Sequence, residues 1–262
     1  MSDHIRLDIT ASGVATITLN RPDKRNAFSS KTISELIAAL DSLSNQRNIR
    51  CFIVQGEGKH FSAGADLAWM KSMANNSREE NIQDAKQLAL LLSSLDNIPA
   101  PTIAIVQGCA FGGALGLLCC CDIVIGEESS LCCFSEVKIG LIPATIAPYV
   151  VRAIGTRSAR RYLLTAETIT GKQALEIGLF HELTQDGNSE FVAADIVKQI
   201  LSSSPSAIRN TKSLIKKCQF HIEDPLINHT AELIADARVS KDGQHGLQSF
   251  FSKTTPDWVW KE

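Results

Sequence analysis

Apolar and polar positions alternate along residues 13–20, "GVATITLN", which predicts a half-buried strand, and Pro22 then turns the chain. From Ser30 the apolar positions recur at intervals of three and four, which predicts an amphipathic helix behind serine caps. These positions are Ile33, Leu36, Ile37, Leu40 and Leu43. Residues 51–58, "CFIVQGEG", read as a buried strand that ends in a glycine turn. The first sixty residues are therefore expected to contain strands, a helix and a further strand.

The same alternation of element types continues along the chain. "LAWMKSM" predicts a short helix, the polar segment "ANNSREE" predicts a loop, and a longer helical pattern runs from Ile82 to Leu95. "TIAIV" at 102–106 predicts a buried strand, residues 109–121 a helix, and "DIVI" a further strand. Strands that alternate with helices in this way predict an α/β domain with a largely parallel sheet covered on both faces.

Beyond about residue 190 only helical patterns follow, at 191–202, 205–218, 225–239 and 245–251. We therefore expect a core over residues 1–190 and a helical C-terminal region over 191–262. Helices that extend from a core in this manner commonly cover a neighbouring copy, so the second region predicts association of subunits.

Composition narrows the class of protein. The 262 residues are 44% hydrophobic and carry a formal net charge of -2, as expected of a globular protein with a large core. This charge leaves no broad basic field for nucleic acid. No apolar run approaches the roughly 18 residues of a membrane span, and the first ten residues lack the apolar segment of a secretory signal. The expected location is the cytoplasm, with neither nucleic acid nor membrane as a partner.

Eight cysteines occur mostly as adjacent clusters in apolar surroundings, and no CxxC pair has a matching second pair. Neighbouring cysteines of this kind are typical of small buried side chains in a reducing compartment rather than of disulfides or metal ligands. The sequence therefore predicts no metal site. The cysteines are Cys51, Cys109, Cys119, Cys120, Cys121, Cys132, Cys133 and Cys218.

Glycines cluster at two places where a helix is expected to follow a strand. Neither the GxGxxG spacing of a dinucleotide site, nor a P-loop lysine, nor a GxSxG nucleophile motif is present. "FSAGAD" at 61–66 and "FGGALG" at 111–116 instead place small residues where backbone N–H groups are free. Two such helix ends that face each other would form a two-donor oxyanion hole. The alternative is that both are simply tight turns.

A single carboxylate, Glu136, lies in the apolar segment "CCFSEVKIGLIP". If it is partly buried, its pKa is raised toward the range that suits proton transfer at neutral pH. The alternative is a structural glutamate that caps a helix or pairs with Lys138.

Five segments together resemble the enoyl-CoA hydratase/isomerase, or crotonase, family. They are "NRPDKRNA" (20–27), "FSAGADL" (61–67), "GCAFGGALGLLCCCD" (108–122), "FSEVKIGLIP" (134–143) and "TAETITGKQALEIGLFHEL" (165–183). "GLQSFFSKTTPDW" (246–258) resembles the family's C-terminal end, so the resemblance covers nearly the whole chain. It implies a spiral of ββα units with a helical trimerisation region, assembled as a homotrimer or a dimer of trimers. It also implies an acyl-CoA thioester substrate, no separate cofactor, and stabilisation of the thioester enolate.

Position by position, the resemblance implies that the backbone N–H groups of Ala65 and Gly113 form the oxyanion hole and that Glu136 is the acid and base. Lys253 is implied to reach a CoA phosphate across a subunit boundary, and the basic loop with Arg21 and Lys24 suits a phosphate, although a merely exposed loop is the alternative. The residues implied to bind the substrate or its CoA moiety are Arg25, Ala27, Ala63, Asp66, Leu67, Gly112, Gly116 and Lys253.

Hydratases of this family generally carry a second glutamate on the helix after the glycines, where this chain has Gly116. Two interpretations remain open. One is a hydratase that uses Glu136 alone and holds its water through backbone groups or another residue. The other is a Δ3,Δ2-enoyl-CoA isomerase, for which one carboxylate suffices as a proton shuttle.

Three segments, 63–73, 133–155 and 157–167, look most like the branch that hydrates branched or carboxylated enoyl-CoAs such as methylglutaconyl-CoA in leucine and isoprenoid breakdown. Gly116 is expected to open room beside such an acyl chain. These features favour the hydratase. A noncatalytic acyl-CoA-binding scaffold is the alternative of another class, but it would need neither Glu136 nor an intact "GGALG".

Overall fold

The computed structural model describes residues 4–44, 46–73, 76–218, 234, 236 and 240–259. No helix in these ranges is both long enough and apolar enough to cross a membrane.

Strands and helices alternate over most of the described chain. The strands are β1 (Ile5–Ile9), β2 (Val14–Leu19), β3 (Cys51–Gly56), β4 (Thr102–Val106), β5 (Cys109–Phe111), β6 (Ile123–Glu127), β7 (Leu131–Cys133), β8 (Ile169–Thr170) and β9 (Glu182–Thr184). The helices are α1 (Ser30–Ser44), α2 (Leu67–Met73), α3 (Arg78–Asp96), α4 (Gly113–Cys120), α5 (Ala147–Thr165), α6 (Gly171–Glu176), α7 (Ser189–Leu201), α8 (Pro205–Lys217) and α9 (Lys241–Ser252). Short 3-10 turns span Pro22–Lys24 and Glu136–Ile139.

The larger sheet has the order β1-β2-β3-β4-β6-β9. Its strands pair in parallel except for the antiparallel pair β1 and β2. A smaller, separate sheet has the order β5-β7-β8. Its strand β5 leads into the turn before α4. The predicted α/β fold with a largely parallel sheet is confirmed.

Both faces of the larger sheet are buried, which explains the continuous apolar runs of its central strands. In β4, Ala104 and Val106 join the core that contains the apolar sides of α1, α3 and α4. Ile103 and Ile105 face the other way and pack with Ala193 of α7. The first helix of the predicted C-terminal region thus covers the sheet of the core, and the division at residue 190 stays a prediction.

Local signals explain several of the helices. A capping box of Ser77 and Glu80 begins α3, and α8 begins at Pro205 behind a Ser204 cap. The helix expected over 109–121 is shorter than predicted, because Cys109–Phe111 pairs with β7 as a strand. Pairing between distant segments leaves no periodicity in so short a run. The helix predicted over 225–239 lies outside the described residues except at positions 234 and 236.

Seven of the eight cysteines are buried as expected, whereas Cys218 is exposed. Burial raises the pKa of Cys51 and Cys119 to about 12, so both thiols stay protonated at neutral pH. In the described part of the chain, no cluster of three or more histidine, cysteine or acidic side chains is arranged to hold a metal ion.

Candidate active site

The two glycine-rich turns lie side by side. Residues 61–62 run parallel to 107–111, with the Ser62 N–H donating to the Cys109 carbonyl at 3.0 Å and the Phe111 N–H donating to the Ser62 carbonyl at 3.0 Å. Gly64 has φ +87, and a Cβ there would lie 2.8 Å from the Phe111 carbonyl oxygen. Only glycine allows this backbone conformation and this approach.

The first turn presents the N–H of Ala65. Phe28 donates its N–H to the Gly64 carbonyl at 2.7 Å and accepts the N–H of Asp66 at 2.7 Å. Since C=O and N–H of one trans peptide point in opposite directions, the Ala65 N–H points away from Phe28. Ala65 is exposed, and its N–H donates to no group in the described residues.

The second turn presents the N–H of Gly113, the first residue of α4. The Gly112 carbonyl accepts the Leu115 N–H at 3.0 Å, so the other end of that peptide, the Gly113 N–H, points out of the helix end. Gly112 has φ 54 and ψ -129, a conformation that favours glycine. The Gly113 N–H also has no acceptor within the part of the chain that is described. Two unpaired donors on contacting turns are what the binding of an oxyanion requires.

Glu136 lies beside the same helix end. The Gly112 N–H donates to the Cys133 carbonyl at 2.9 Å, which ties α4 to the strand that precedes Glu136. The Oε1 atom of Glu136 lies 3.4 Å from the position that a Cβ would take at Gly112. Its Oε2 atom is buried and has no hydrogen-bond partner among the described residues. Lys138 is exposed and forms no described ion pair with it.

Burial raises the pKa of Glu136, and a hydrogen bond from its own backbone amide offsets only part of that effect. A carboxyl group with a raised pKa and one unpaired oxygen can accept a proton and return it more readily than an ordinary exposed carboxylate. The two N–H donors and this carboxyl group together can stabilise a developing enolate and move a proton beside it.

A family model described as enoyl-CoA hydratase/isomerase matches residues 9–261. The chain is 44% identical to an enoyl-CoA hydratase of known structure from Shewanella pealeana, with a TM-score of 0.95 and coverage of 98% of this chain and 97% of that one. A Thermus thermophilus relative that carries an enoyl-CoA hydratase name is 32% identical over 246 residues, which are 93% of this chain and 96% of the relative. The enoyl-CoA hydratase ACTT6 of Alternaria alternata is 32% identical over 91% of this chain and 78% of its own length.

The chain belongs to the enoyl-CoA hydratase/isomerase family. The predicted crotonase fold is confirmed, as are the enzyme class and the acyl-CoA thioester as substrate class. Members of the family combine hydratase and isomerase chemistry under one fold, so the details of the site decide between these reactions.

Gly116, at which the resemblance to the family's hydratases implies a second glutamate, lies on α4 one turn after Gly113. A Cβ there would lie 2.5 Å from Cγ2 of Ile146 and 3.0 Å from Cδ2 of Leu92. Ile146 is 1% exposed and Leu92 is fully buried. The expectation that Gly116 opens room beside the acyl chain is therefore wrong. The space is filled by a side chain thirty residues away, which no local pattern indicates.

Arg21 differs from the other basic residues of its loop. Its guanidinium donates to the Ala27 carbonyl and to the Asp66 carboxylate, both at 2.8 Å. Burial opposes the charge of Asp66, but the bonds from Arg21 and from the Ala68 and Trp69 amides outweigh it and lower the pKa of that carboxyl. Arg21 is thus engaged in holding residues 21–27 against residues 63–66, rather than extended toward a phosphate. Lys24 remains exposed.

The residues predicted to bind CoA come together around this contact. The Ala63 N–H donates to the Arg25 carbonyl at 2.9 Å, and Arg25 adopts φ 51 with its side chain exposed. Ala27 is buried, whereas Leu67 is 82% exposed at the start of α2. These positions are close to the Ala65 turn through the backbone contacts of residues 25–28 with residues 63–66, and their roles toward CoA stay predictions.

Lys253 lies elsewhere, exposed at the C-terminal end of α9 with φ 54. No described contact within one chain links it to the turns at Ala65 and Gly113.

Ser135 is a candidate site residue that the sequence alone did not indicate. Ser135 precedes the 3-10 turn as a serine cap would, yet its side chain caps nothing. Its hydroxyl oxygen lies 3.8 Å from the Cβ position at Gly112, on the Glu136 side.

Proposed function

We propose that this protein hydrates a 2-enoyl-CoA thioester, with the N–H groups of Ala65 and Gly113 binding the thioester oxygen and Glu136 serving as acid and base. The observation that supports the proposal is the Glu136 carboxyl group, whose Oε1 atom lies 3.4 Å from the Cβ position at Gly112 and whose Oε2 atom is buried without a hydrogen-bond partner among the described residues. A donor pair and a poised carboxyl group at one place suit enolate chemistry.

In this reaction the oxygen of water bonds to C3 of the substrate, and a proton from that water passes to the Glu136 carboxylate. The electron pair of the double bond moves onto the thioester oxygen, where the two N–H groups hold the negative charge. The same proton then passes from Glu136 to C2 as the enolate collapses. One carboxylate therefore suffices for the net addition of one water molecule, and its raised pKa suits both transfers.

We further propose a branched or carboxylated acyl chain, such as that of methylglutaconyl-CoA. The support is the resemblance of residues 63–73, 133–155 and 157–167 to that branch of the family. The exposed Arg25 side chain suits a CoA phosphate. Assembly as a homotrimer or a dimer of trimers, with Lys253 of a neighbouring copy near the nucleotide, belongs to the same proposal.

Mass analysis of the products tests the reaction type. Crotonyl-CoA, methylglutaconyl-CoA and a 3-enoyl-CoA are each incubated with the enzyme and with the Glu136→Gln variant. Gain of one water by a 2-enoyl thioester, lost in the variant, is the expected result, with the highest kcat/KM for the methylglutaconyl chain. If crotonyl-CoA reacts faster than the branched thioester, the proposed acyl chain is rejected and the reaction type is kept.

The second candidate is the Δ3,Δ2-enoyl-CoA isomerase. It is favoured by the apolar packing of Ile146 and Leu92 at Gly116, since an isomerase moves one proton between C4 and C2 and needs no water. Conversion of the 3-enoyl-CoA without a change in mass, combined with inert 2-enoyl thioesters, would replace the hydratase by this reaction. Binding of all three thioesters without any conversion would leave the noncatalytic scaffold.

A further inference from the structure

A hydratase must orient its water as well as deprotonate it, because an attacking oxygen needs a defined direction toward C3. Glu136 can take one proton of that water. The position of the family's second carboxylate offers no polar group, since Gly116 is packed under Ile146 and Leu92. A second contact to the water therefore has to come from another side of the helix end.

Ser135 supplies a polar atom at that place. Its Oγ atom lies 3.8 Å, and Oε1 of Glu136 lies 3.4 Å, from one point, the Cβ position at Gly112. Because Gly112 has no side chain, no Cβ occupies that point. The Ser135 side chain makes no capping bond, and no described hydrogen bond engages its hydroxyl. The residue is only partly buried.

The backbone fixes this hydroxyl relative to Glu136. The Ser135 carbonyl accepts the Lys138 N–H at 3.1 Å, and the Glu136 carbonyl accepts the Leu141 N–H at 3.1 Å. Both residues therefore belong to one hydrogen-bonded turn that follows β7, and β7 pairs with the strand leading to Gly112. A rigid support of this kind is what a group that positions water requires.

We propose that the Ser135 hydroxyl binds the attacking water together with the Glu136 carboxylate. Ser135 would thus fill the water-binding role of the second glutamate that the family resemblance implies at position 116. The inference rests on the proposed hydratase function. The water donates one hydrogen bond to Ser135 Oγ and the other to Glu136, and only Glu136 changes its protonation state. Ser135 thus orients the nucleophile, while Glu136 carries the proton.

Steady-state kinetics of Ser135→Ala and Ser135→Thr test this role. Loss of one hydrogen bond to the nucleophile is expected to lower kcat for hydration about tenfold or more in Ser135→Ala, with KM within about twofold. Ser135→Thr keeps the hydroxyl and is expected to recover most of the rate. Lys138→Ala, an exposed change on the same turn, is the matched control and leaves the rate unchanged.

The pH profile of kcat/KM separates water positioning from a structural effect. If Ser135 only orients water, its replacement lowers kcat/KM at every pH. The pH at which ionisation of Glu136 limits kcat/KM then stays the same. A Ser135→Ala variant with wild-type kcat, or one whose loss comes entirely from a shift of that pH, would overturn the inference. Failure of the proposed function itself is distinguishable, because the wild-type protein would then form no hydrated product from any 2-enoyl thioester.

Discussion

The two sides of the first turn of α4 differ sharply in chemical character. On one side, next to Gly112, lie the Glu136 carboxyl group and the Ser135 hydroxyl, with one carboxylate oxygen buried and unpaired. On the other side, at Gly116, the closest atoms belong to Ile146 and Leu92. The polar groups that suit proton transfer therefore lie on one side of the helix end, and apolar core side chains occupy the other side.

Glu136→Gln removes the ionisable group on the polar side and is expected to have the largest effect on the rate of hydration. Without a proton acceptor, hydration is expected to fall by about a hundredfold to ten-thousandfold, while binding of a saturated acyl-CoA changes little. Enoyl absorbance measures the rate, and calorimetric titration measures binding. A variant with more than a tenth of the wild-type rate would show that another group moves the proton.

Gly113→Pro removes the proposed N–H donor at the start of α4. Proline fits the first position of a helix and the Gly113 N–H has no internal partner, so the fold is expected to persist while kcat falls about a hundredfold to a thousandfold. Gly113→Ala is the matched control, because its Cβ would meet only Leu88 at 3.7 Å and its N–H remains. Equal activity of the proline and alanine variants would remove Gly113 from the oxyanion hole.

Gly116→Ala tests the packing of Ile146 against α4 on the apolar side. The added Cβ would lie 2.5 Å from Cγ2 of Ile146, so overpacking is expected to outweigh the gain in helix propensity and to lower the free energy of unfolding by about 1 kcal/mol. In an Ile146→Ala background the same change is expected to cost close to nothing, which corresponds to a coupling of about 1 kcal/mol. Urea unfolding of the four proteins measures the cycle. An identical cost in both backgrounds would contradict the contact.

The pH dependence of stability gives the smallest expected effect. Burial raises the pKa of folded Glu136 above its ordinary value of 4.5, so the stability contributed by the neutral carboxyl is complete below 4.5 and is lost as pH rises through the higher folded value. Glu136→Gln carries no charge at either end of this range. Its Tm is therefore expected to exceed that of the wild type near neutral pH, by an amount that becomes smaller toward pH 4. Calorimetric scans across this range measure the Tm of both proteins. A Tm difference that grows toward acid pH would contradict the predicted direction of the pKa shift.

Much of this architecture could be predicted from local pattern. The helix Ser30–Ser44 follows from its apolar spacing and the strand Thr102–Val106 from its continuous apolar run. The turns around Ala65 and Gly113 were signalled by glycine and alanine at a strand-to-helix junction. The apolar filling at Gly116 could not be predicted, because Ile146 reaches it through the fold rather than along the sequence. The position of the Ser135 hydroxyl could not be predicted either, for a different reason: a serine before a turn is typical of a cap, and its side chain makes no capping bond.

A crystal structure of the enzyme with a saturated acyl-CoA, which cannot be hydrated, would show whether Ala65 and Gly113 bind the thioester oxygen beside Glu136. The thioester oxygen is expected about 2.7–3.1 Å from the backbone nitrogens of both Ala65 and Gly113, with Glu136 as the one carboxylate within hydrogen-bond reach of the acyl C2 and C3 region. A thioester oxygen bound away from these two nitrogens, or a different carboxylate nearer to C2 and C3, would contradict this expectation.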